Sequence, residues 1–437
     1  MTVTVLAHGC WDGLHIGHIR HLQQAKQLGD RLVVGVTANE YVAKGPNRPR
    51  YRLQDRIEAL KALRFVDEVV AVHAPDPCEM IRTLKPAVYV KGVEYAGKEI
   101  PEHAVVAEVG GRLEFVGETL GSSSAAINAE MPAHPFLAGL REDKGYGDSD
   151  IVAALEAIRK LHVLVIGDHI LDRYIRCKPL GLTSKGAALS VEVEGRDALS
   201  RGEAGGAAAI VGHARALSAH VSYHYGPCVV EKTRWYMMAG NQVRVLFAQD
   251  VRRATTLTRV QAQERAPDVI LAADFGYGAF DPNMAGYDTA VMCQSNSQNF
   301  GTNVLTRRYR RAGLFVLDDR ELRLAAHTNT PTRESLLGVA LGLGSERCYW
   351  TRGQESTTSL CEGEFQECPA LEDRPIDPLG AGDAFFAVAS LCWAAKVPAD
   401  LSLLLAQIAG AQLTRVLGNG RSLDREALAR TAKAILA

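Results

Sequence analysis

Two histidines one helical turn apart, His15-Ile-Gly-His18, follow a short apolar run and a turn with glycines at 9, 13 and 17. Glycine lets a backbone approach a ligand closely, and a helix starting near Gly17 offers free amides to an anion. Imidazoles placed there can donate hydrogen bonds where charge builds on a phosphorus under attack. The same spacing also occurs as a metal pair or as two unconnected side chains, so the surrounding strand, Gly-rich turn and helix carry the argument. A second such place is Asp377-Pro-Leu-Gly-Ala-Gly-Asp383, ahead of an apolar stretch from Ala384. Glycines before a helix again leave amides open to an anion, and Asp383 would stand where a carboxylate can take a proton from an attacking hydroxyl. A carboxylate at that position also serves as a plain helix cap.

The elements that must position these groups alternate. Over the first 130 residues, strand patterns at 3–7, 31–36, 68–72, 88–91 and 113–116 alternate with helix patterns at 17–28, 53–63 and 78–84. Such alternation predicts a parallel sheet covered on both faces. Residues 131–150 hold two prolines, several glycines and a charge run, and read as a linker ending in a capped helix start with an acidic first turn. A second α/β region starts at His162 with a strand ending in a polar turn at Gly167-Asp168. Further strands are expected at 269–273, 289–293, 314–317 and 348–351, a smaller sheet at 189–193 and 242–247, and a mostly helical end after 381.

Composition bounds the function. At 437 residues the chain should hold two or three domains, since a domain takes roughly 100–200 residues. Forty-seven per cent apolar and 23% charged residues exclude a disordered or collagen-like chain. Lys+Arg 49 against Asp+Glu 50 argues against nucleic acid as a partner. Nine scattered cysteines without a Cys-x-x-Cys argue against a zinc ribbon and for reduced, cytoplasmic thiols. The amino-terminal run reads as a strand rather than a signal peptide, and the longest apolar stretch, residues 384–395, falls short of the ~20 residues of a membrane span. No Gly-x-Gly-x-x-Gly follows the first strand, which disfavours a dinucleotide-dependent dehydrogenase.

Residues 1–130 resemble the His-x-Gly-His nucleotidyltransferases that activate sugar and alcohol phosphates with adenylyl or cytidylyl groups. Beyond His15 and His18, the likeness rests on residues 28–37, Lys44-Gly-Pro-Asn-Arg-Pro, residues 53–60, Val90-Lys91-Gly92 and Gly121-Ser-Ser-Ser124. It implies a Rossmann-like fold with His15, His18 and Lys44 in catalysis. Gly9, Cys10, Trp11, Gly17, Lys91, Ser122, Ser123 and Ser124 would line the nucleotide, with Mg²⁺ on the triphosphate. A substrate phosphate would attack the α-phosphorus of ATP or CTP and expel pyrophosphate.

Residues 151–437 resemble the ribokinase-like (PfkB) carbohydrate kinases, whose signature Asp-Thr-x-Gly-Ala-Gly-Asp appears here with Pro378 in place of Thr. The resemblance implies an α/β domain with a small β lid. Asp383 would be the base, and Gly380, Ala381, Gly382, Thr351 and Gly353 would face ATP. Asp168, Asp172, Gly205, Gly206, Lys232, Arg234 and Asn241 would face the sugar, and Asp318 and Glu321 the metal. Three departures stand out. Ala209 replaces a sugar-contacting Asn, Asp318 replaces the Asn of Asn-x-x-Glu, and the segment between Ala216 and Lys232 is short, as if a strand–helix unit were missing.

Both halves in one chain resemble the bifunctional heptose kinase and ADP-heptose synthase enzymes, with the order reversed. The resemblance implies a kinase making a sugar 1-phosphate that the transferase consumes, in a homodimeric enzyme without membrane or nucleic-acid partners. The alternative is an active transferase fused to a kinase-like domain that only binds or regulates.

Overall fold

The computed structural model describes residues 2–436 except 46, 99, 118–133, 184–185, 187, 195–202, 241, 255–264 and 296–298. The chain divides into two units, Met1–Ala133 and His134–Ala437.

The first unit runs β1 (Thr4–Gly9), α1 (Ile16–Lys26), β2 (Arg31–Thr37), α2 (Leu53–Lys61), β3 (Glu68–Val72), α3 (Cys78–Leu84), β4 (Val88–Gly92), α4 (Glu102–Glu108) and β5 (Arg112–Val116). Its strands form one parallel sheet in the order β3-β2-β1-β4-β5. Strand residues alternate between two buried faces. Val5, Ala7, Val34 and Val88 pack with Leu22 and Ala25 of α1 and Leu60 of α2. Leu6, Val33 and Tyr89 pack with Ile81 of α3 and Val105 and Val106 of α4. Burial on both faces explains the near-continuous apolar strands. The order reverses between β1 and β4, and a crevice forms at the carboxyl ends of strands where such a sheet reverses. The His-bearing turn follows β1 and Lys91-Gly92 ends β4, so both lie at that crevice. Helix α4 has no counterpart in the expected elements.

The second unit comprises α5 (Pro135–Glu142), α6 (Asp148–Arg159), β6 (His162–Leu182), β7 (Leu189–Val193), β8 (Glu203–Gly206), α7 (Ala207–Leu217), β9 (His220–Ala239), β10 (Gln242–Ala254), β11 (Val269–Asp274), β12 (Thr289–Cys293), α8 (Leu305–Arg308), β13 (Leu314–Asp318), α9 (Asp319–Ala326), α10 (Arg333–Leu343), β14 (Arg347–Thr351), β15 (Ser356–Cys361), β16 (Glu364–Pro369), α11 (Ala381–Ala394), α12 (Ala399–Leu413) and α13 (Arg425–Leu436). Among the described residues the main path of the sheet is β10-β9-β6-β11-β12-β13-β14-β15-β16, with β7 and β8 pairing β6. Helices α11 and α12 are apolar on nearly every side and lie largely inside, as all-round apolar helices of large domains do.

Two expectations need correction here. Residues 135–142, taken as linker, form α5: Pro135 starts the helix, and Leu137 and Leu140, three apart on one face, join the second unit's core. The expected turn at Gly167-Asp168 is instead a register shift inside β6, which runs on to Leu182. A polar residue stays inside the strand because backbone amides of another segment satisfy the Asp168 carboxylate. The segment between Ala216 and Lys232, read as lacking a strand–helix unit, does lead from α7 directly into β9, a single strand that pairs with β6 through Arg176.

Candidate active sites

In the first unit, His15 caps α1. Its Nδ1 accepts the Gly17 amide at 3.1 Å, so the ring proton sits on Nε2 and is free to be donated. The His15 and His18 rings lie 3.9 Å apart. Burial pushes the His18 pKa down to about 4, helped by His15, Lys44 and His21. His18 is therefore a neutral donor at pH 7. Burial and then Lys91 push His8 down to about 3. Lys44 is half-buried, and its charge lowers the pKa of His8, Cys10 and His18.

The turn is held by groups that residue types alone did not single out. Asp12 is buried with Arg48, their side chains 0% and 1% exposed, and accepts from Arg48 Nε at 2.6 Å. It also accepts from the amides of Arg50 and Tyr51, both at 3.0 Å. One carboxylate thus ties the Lys44 loop to the His turn. Arg56 of α2 donates to the carbonyls of Cys10 at 2.5 Å, Thr37 at 2.9 Å and Tyr51 at 3.0 Å. The partners of Asp12 lie 36 to 39 residues away in sequence, and Arg56 reaches back 46 residues to Cys10, beyond any spacing rule. Removing one member of a buried pair costs about 3–5 kcal/mol. Asp12→Asn should accordingly lower the first unit's melting temperature and loosen residues 44–51, seen as faster amide exchange at Arg50 and Tyr51.

Trp11 and Cys10 are buried framework. The Trp11 indole donates to the Gly35 carbonyl at 2.9 Å and meets the His18 ring edge-on at 5.3 Å. Burial keeps the Cys10 thiol protonated. Lys91, expected as a charge for the triphosphate, is paired with Glu102 in α4 and bonded to Tyr89 Oη at 3.3 Å. Ser122, Ser123 and Ser124 lie outside the described residues.

These buried neutral histidines carry a pH signature. A histidine whose pKa falls on folding stabilises the native state above its unfolded value, near 6.5, and that contribution is lost as pH falls toward the folded value. For His8 and His18 the window runs from about 6.5 down to about 3 and about 4. Protection of the β1 and β4 amides, measured against their intrinsic exchange rates, should fall between pH 6.5 and 5; unchanged protection would contradict this.

The second unit has a cleft of about 1190 Å³ lined by Asp172, Gly206, Lys232, Arg234, Asp318, Glu321, Thr351, Gly353, Gly380–Asp383 and Asn419. Gly380 has φ +83° and a Cβ there would run into the Asn419 side-chain oxygen, so the turn before α11 accepts only glycine comfortably. Asp377 braces this turn, accepting from the amides of Leu379 and Gly418, both at 3.0 Å. Asp383 stands in the first turn of α11, and burial pushes its pKa up to about 7, with Asp172 adding and Arg234 and Lys232 opposing. Asp172 pairs with Arg234 and accepts from Asn419 Nδ2 at 3.3 Å. Lys232 Nζ lies 3.8 Å from Asp250, which accepts from Tyr277 Oη at 2.8 Å.

Expected roles change at Asp168, at Gly205 and at the Asp318–Glu321 pair. Asp168 is not among the cleft's lining residues: it accepts from the amides of Phe275 at 2.8 Å, Tyr277 at 3.1 Å and Ala279 at 3.0 Å, and so holds the Asp274–Gly278 turn. Gly205 also stays behind the cleft, packed so close to Asp172 that a Cβ would collide with its carboxylate. Asp318 and Glu321, expected at a metal, form a capping box at α9. Asp318 accepts the Glu321 amide at 2.7 Å, and Glu321 accepts the amides of Asp318 at 2.9 Å and Ser295 at 3.0 Å. With both Glu321 oxygens so committed, and no metal-binding group of three or more His, Cys, Asp or Glu among the described residues, the pair does not fit a protein-held ion. Asn241 lies outside the described residues; its neighbour Gln242 lines the cleft. No helix among the described residues is long and apolar enough to cross a membrane.

The chain is similar to known proteins over parts of its length. Over 107 residues it is 47% identical to the bifunctional protein HldE of Campylobacter fetus, which is 24% of this chain and 23% of that one. Over 125 residues it is 38% identical to the HldE of Syntrophotalea carbinolica, 28% of this chain and 26% of that one. The chain thus spans about a quarter of the length of these relatives, 23% and 26%. It is also similar to the solved structure of a fructokinase with bound ATP from Xylella fastidiosa, at 13% identity and a TM-score of 0.43, over 61% of this chain and 97% of that one. The family described as cytidylyltransferase-like matches residues 6–118, and the first unit therefore carries a cytidylyltransferase-like domain.

Proposed function

We propose that this chain makes a nucleotide-activated sugar in two steps, phosphorylating a sugar phosphate of the heptose type and transferring a nucleotidyl group to the resulting sugar 1-phosphate. The observation that carries the first unit's part is the pair His15 and His18, rings 3.9 Å apart at the start of α1, within a cytidylyltransferase-like match. An oxygen of the sugar phosphate attacks the α-phosphorus of ATP or CTP, the bond from that phosphorus to the bridging oxygen breaks, and pyrophosphate leaves. His15 Nε2–H and the neutral His18 donate to the α-phosphate oxygens, whose charge rises at that moment. Lys44, latched by the loop's bonds to Asp12, balances the departing charge.

In the second unit the sugar hydroxyl gives its proton to Asp383 as its oxygen bonds to the γ-phosphorus; the bond to the bridging oxygen breaks and ADP leaves. A carboxylate with a pKa near 7 suits a base at neutral pH. The amides of Gly380–Gly382 receive the phosphate charge. Asp172 orients hydroxyls, and Lys232 and Arg234 suit a sugar that already bears a phosphate. Mg²⁺ belongs here to the nucleotide substrates, since Asp318 and Glu321 are otherwise engaged. That same capping box, together with Ala209, favours the second reading, in which the kinase-like half binds without phosphorylating.

Pyrophosphate release from sugar 1-phosphates, with ATP and CTP offered separately, tests the transferase and names the base. No release across hexose and heptose 1-phosphates would sink it.

A further inference from the structure

Building on the transferase reading, we propose that Glu102 is a positioning residue of the first unit's site. It holds the Lys91 ammonium at the exit of β4, where the remaining N–H meets an oxygen of the nucleoside triphosphate. Strands β1 and β4 pair in register with Ala7 opposite Val90, so the next residues, His8 and Lys91, stand side by side at the crevice. The Lys91 charge is felt across it, lowering the pKa of His8 in β1 and of His21 in α1. Lys91 Nζ bonds Glu102 Oε1 and, at 3.3 Å, Tyr89 Oη, which donates to the same Glu102 oxygen at 3.2 Å. An ammonium has three N–H groups, so one stays available. The Tyr95 ring, 5.1 Å from Nζ, further limits where it can go.

This pair is buried, with side chains 12% and 5% exposed. Buried ion pairs stabilise folds poorly beside apolar groups of similar volume, which argues for a use other than stability. Glu102 fits that use: it belongs to a different element, α4, whose Val105 and Val106 are fixed in the core. A lysine stem has several rotatable bonds; an anchored carboxylate makes its charge a fixed one.

The test is pyrophosphate release by the full chain, with a double-mutant cycle. Glu102→Gln should raise KM for the nucleotide about tenfold, the worth of a charge-assisted hydrogen bond, with kcat within about twofold. Lys91→Met should do at least as much, and adding Glu102→Gln to it should change nothing further. Tyr89→Phe should move KM the same way by less. Glu102→Asp, which keeps the charge, should restore part of the affinity. Melting temperatures separate these effects from unfolding, and if Glu102→Gln does not fold, Tyr89→Phe and Glu102→Asp carry the comparison. Unchanged KM in a folded Glu102→Gln, or effects of the two substitutions that multiply, would overturn the role given to Glu102 while leaving the transferase intact. Absence of pyrophosphate from the unsubstituted chain would overturn both.

Discussion

Replacing His18 by Ala should cut pyrophosphate release by about 10²–10³-fold, the effect of losing one preorganised donor to a developing oxyanion. ADP release should be untouched, because His18 belongs to the first unit and Asp383 to the second. The loss should fall on kcat more than on KM, since the donor matters most when charge has built on the α-phosphate. A larger side chain is not needed for the fold: the indole of Trp11 is anchored to Gly35 independently of His18. Loss of both products from a folded His18→Ala would mean that the two sites are not separate.

Asp383→Asn should have the converse effect, lowering ADP release by about 10²–10⁴-fold, as expected for removal of a general base, with pyrophosphate release from supplied sugar 1-phosphate unchanged. In the unsubstituted chain ADP release should rise with pH through about 7, where Asp383 loses its proton. The same group gives a stability signature of opposite sense to the histidines. A carboxyl whose pKa is raised on folding destabilises the native state progressively from its unfolded value, near 3.8, up to its folded value near 7. Asparagine removes that penalty. Protection of α11 against amide exchange should therefore be greater in Asp383→Asn than in the unsubstituted chain at pH 8, and the difference should shrink toward pH 4. An inactive variant with no such gain would mean that Asp383 is not held in the buried state described.

Much of the geometry of both candidate sites was legible because it is local. His15 and His18 share one helical turn and follow one strand, and Gly380–Asp383 is a continuous turn and helix start, so residue type and spacing sufficed. What was not legible depends on partners far along the chain. Asp168 looked like a sugar ligand because its partners, the amides of Phe275, Tyr277 and Ala279, lie more than 100 residues away. Glu321 looked like a metal ligand, although Asp-x-x-Glu is also the pattern of a capping box. The pairing of Lys91 could not be read, because Glu102 comes from a helix whose short seven-residue pattern carries no strong period. Helix α5 was hidden by flanking Pro and Gly, and only its two leucines marked a buried face. The fold class followed from alternation, but the long reach of β6 and β9 did not: strands that leave the core sheet keep a period of two while their burial falls away.

The most direct test of the two-step account follows both products from one incubation of the purified chain with Mg²⁺, ATP and a heptose or hexose phosphate lacking an anomeric phosphate. CTP is added in a parallel arm, and the nucleotide products are identified by mass. The account requires ADP to appear first, pyrophosphate to follow, and a nucleotide sugar to accumulate with it. Pyrophosphate from supplied sugar 1-phosphates, with no sugar-dependent ADP from any acceptor, would contradict it and leave a transferase joined to a binding domain.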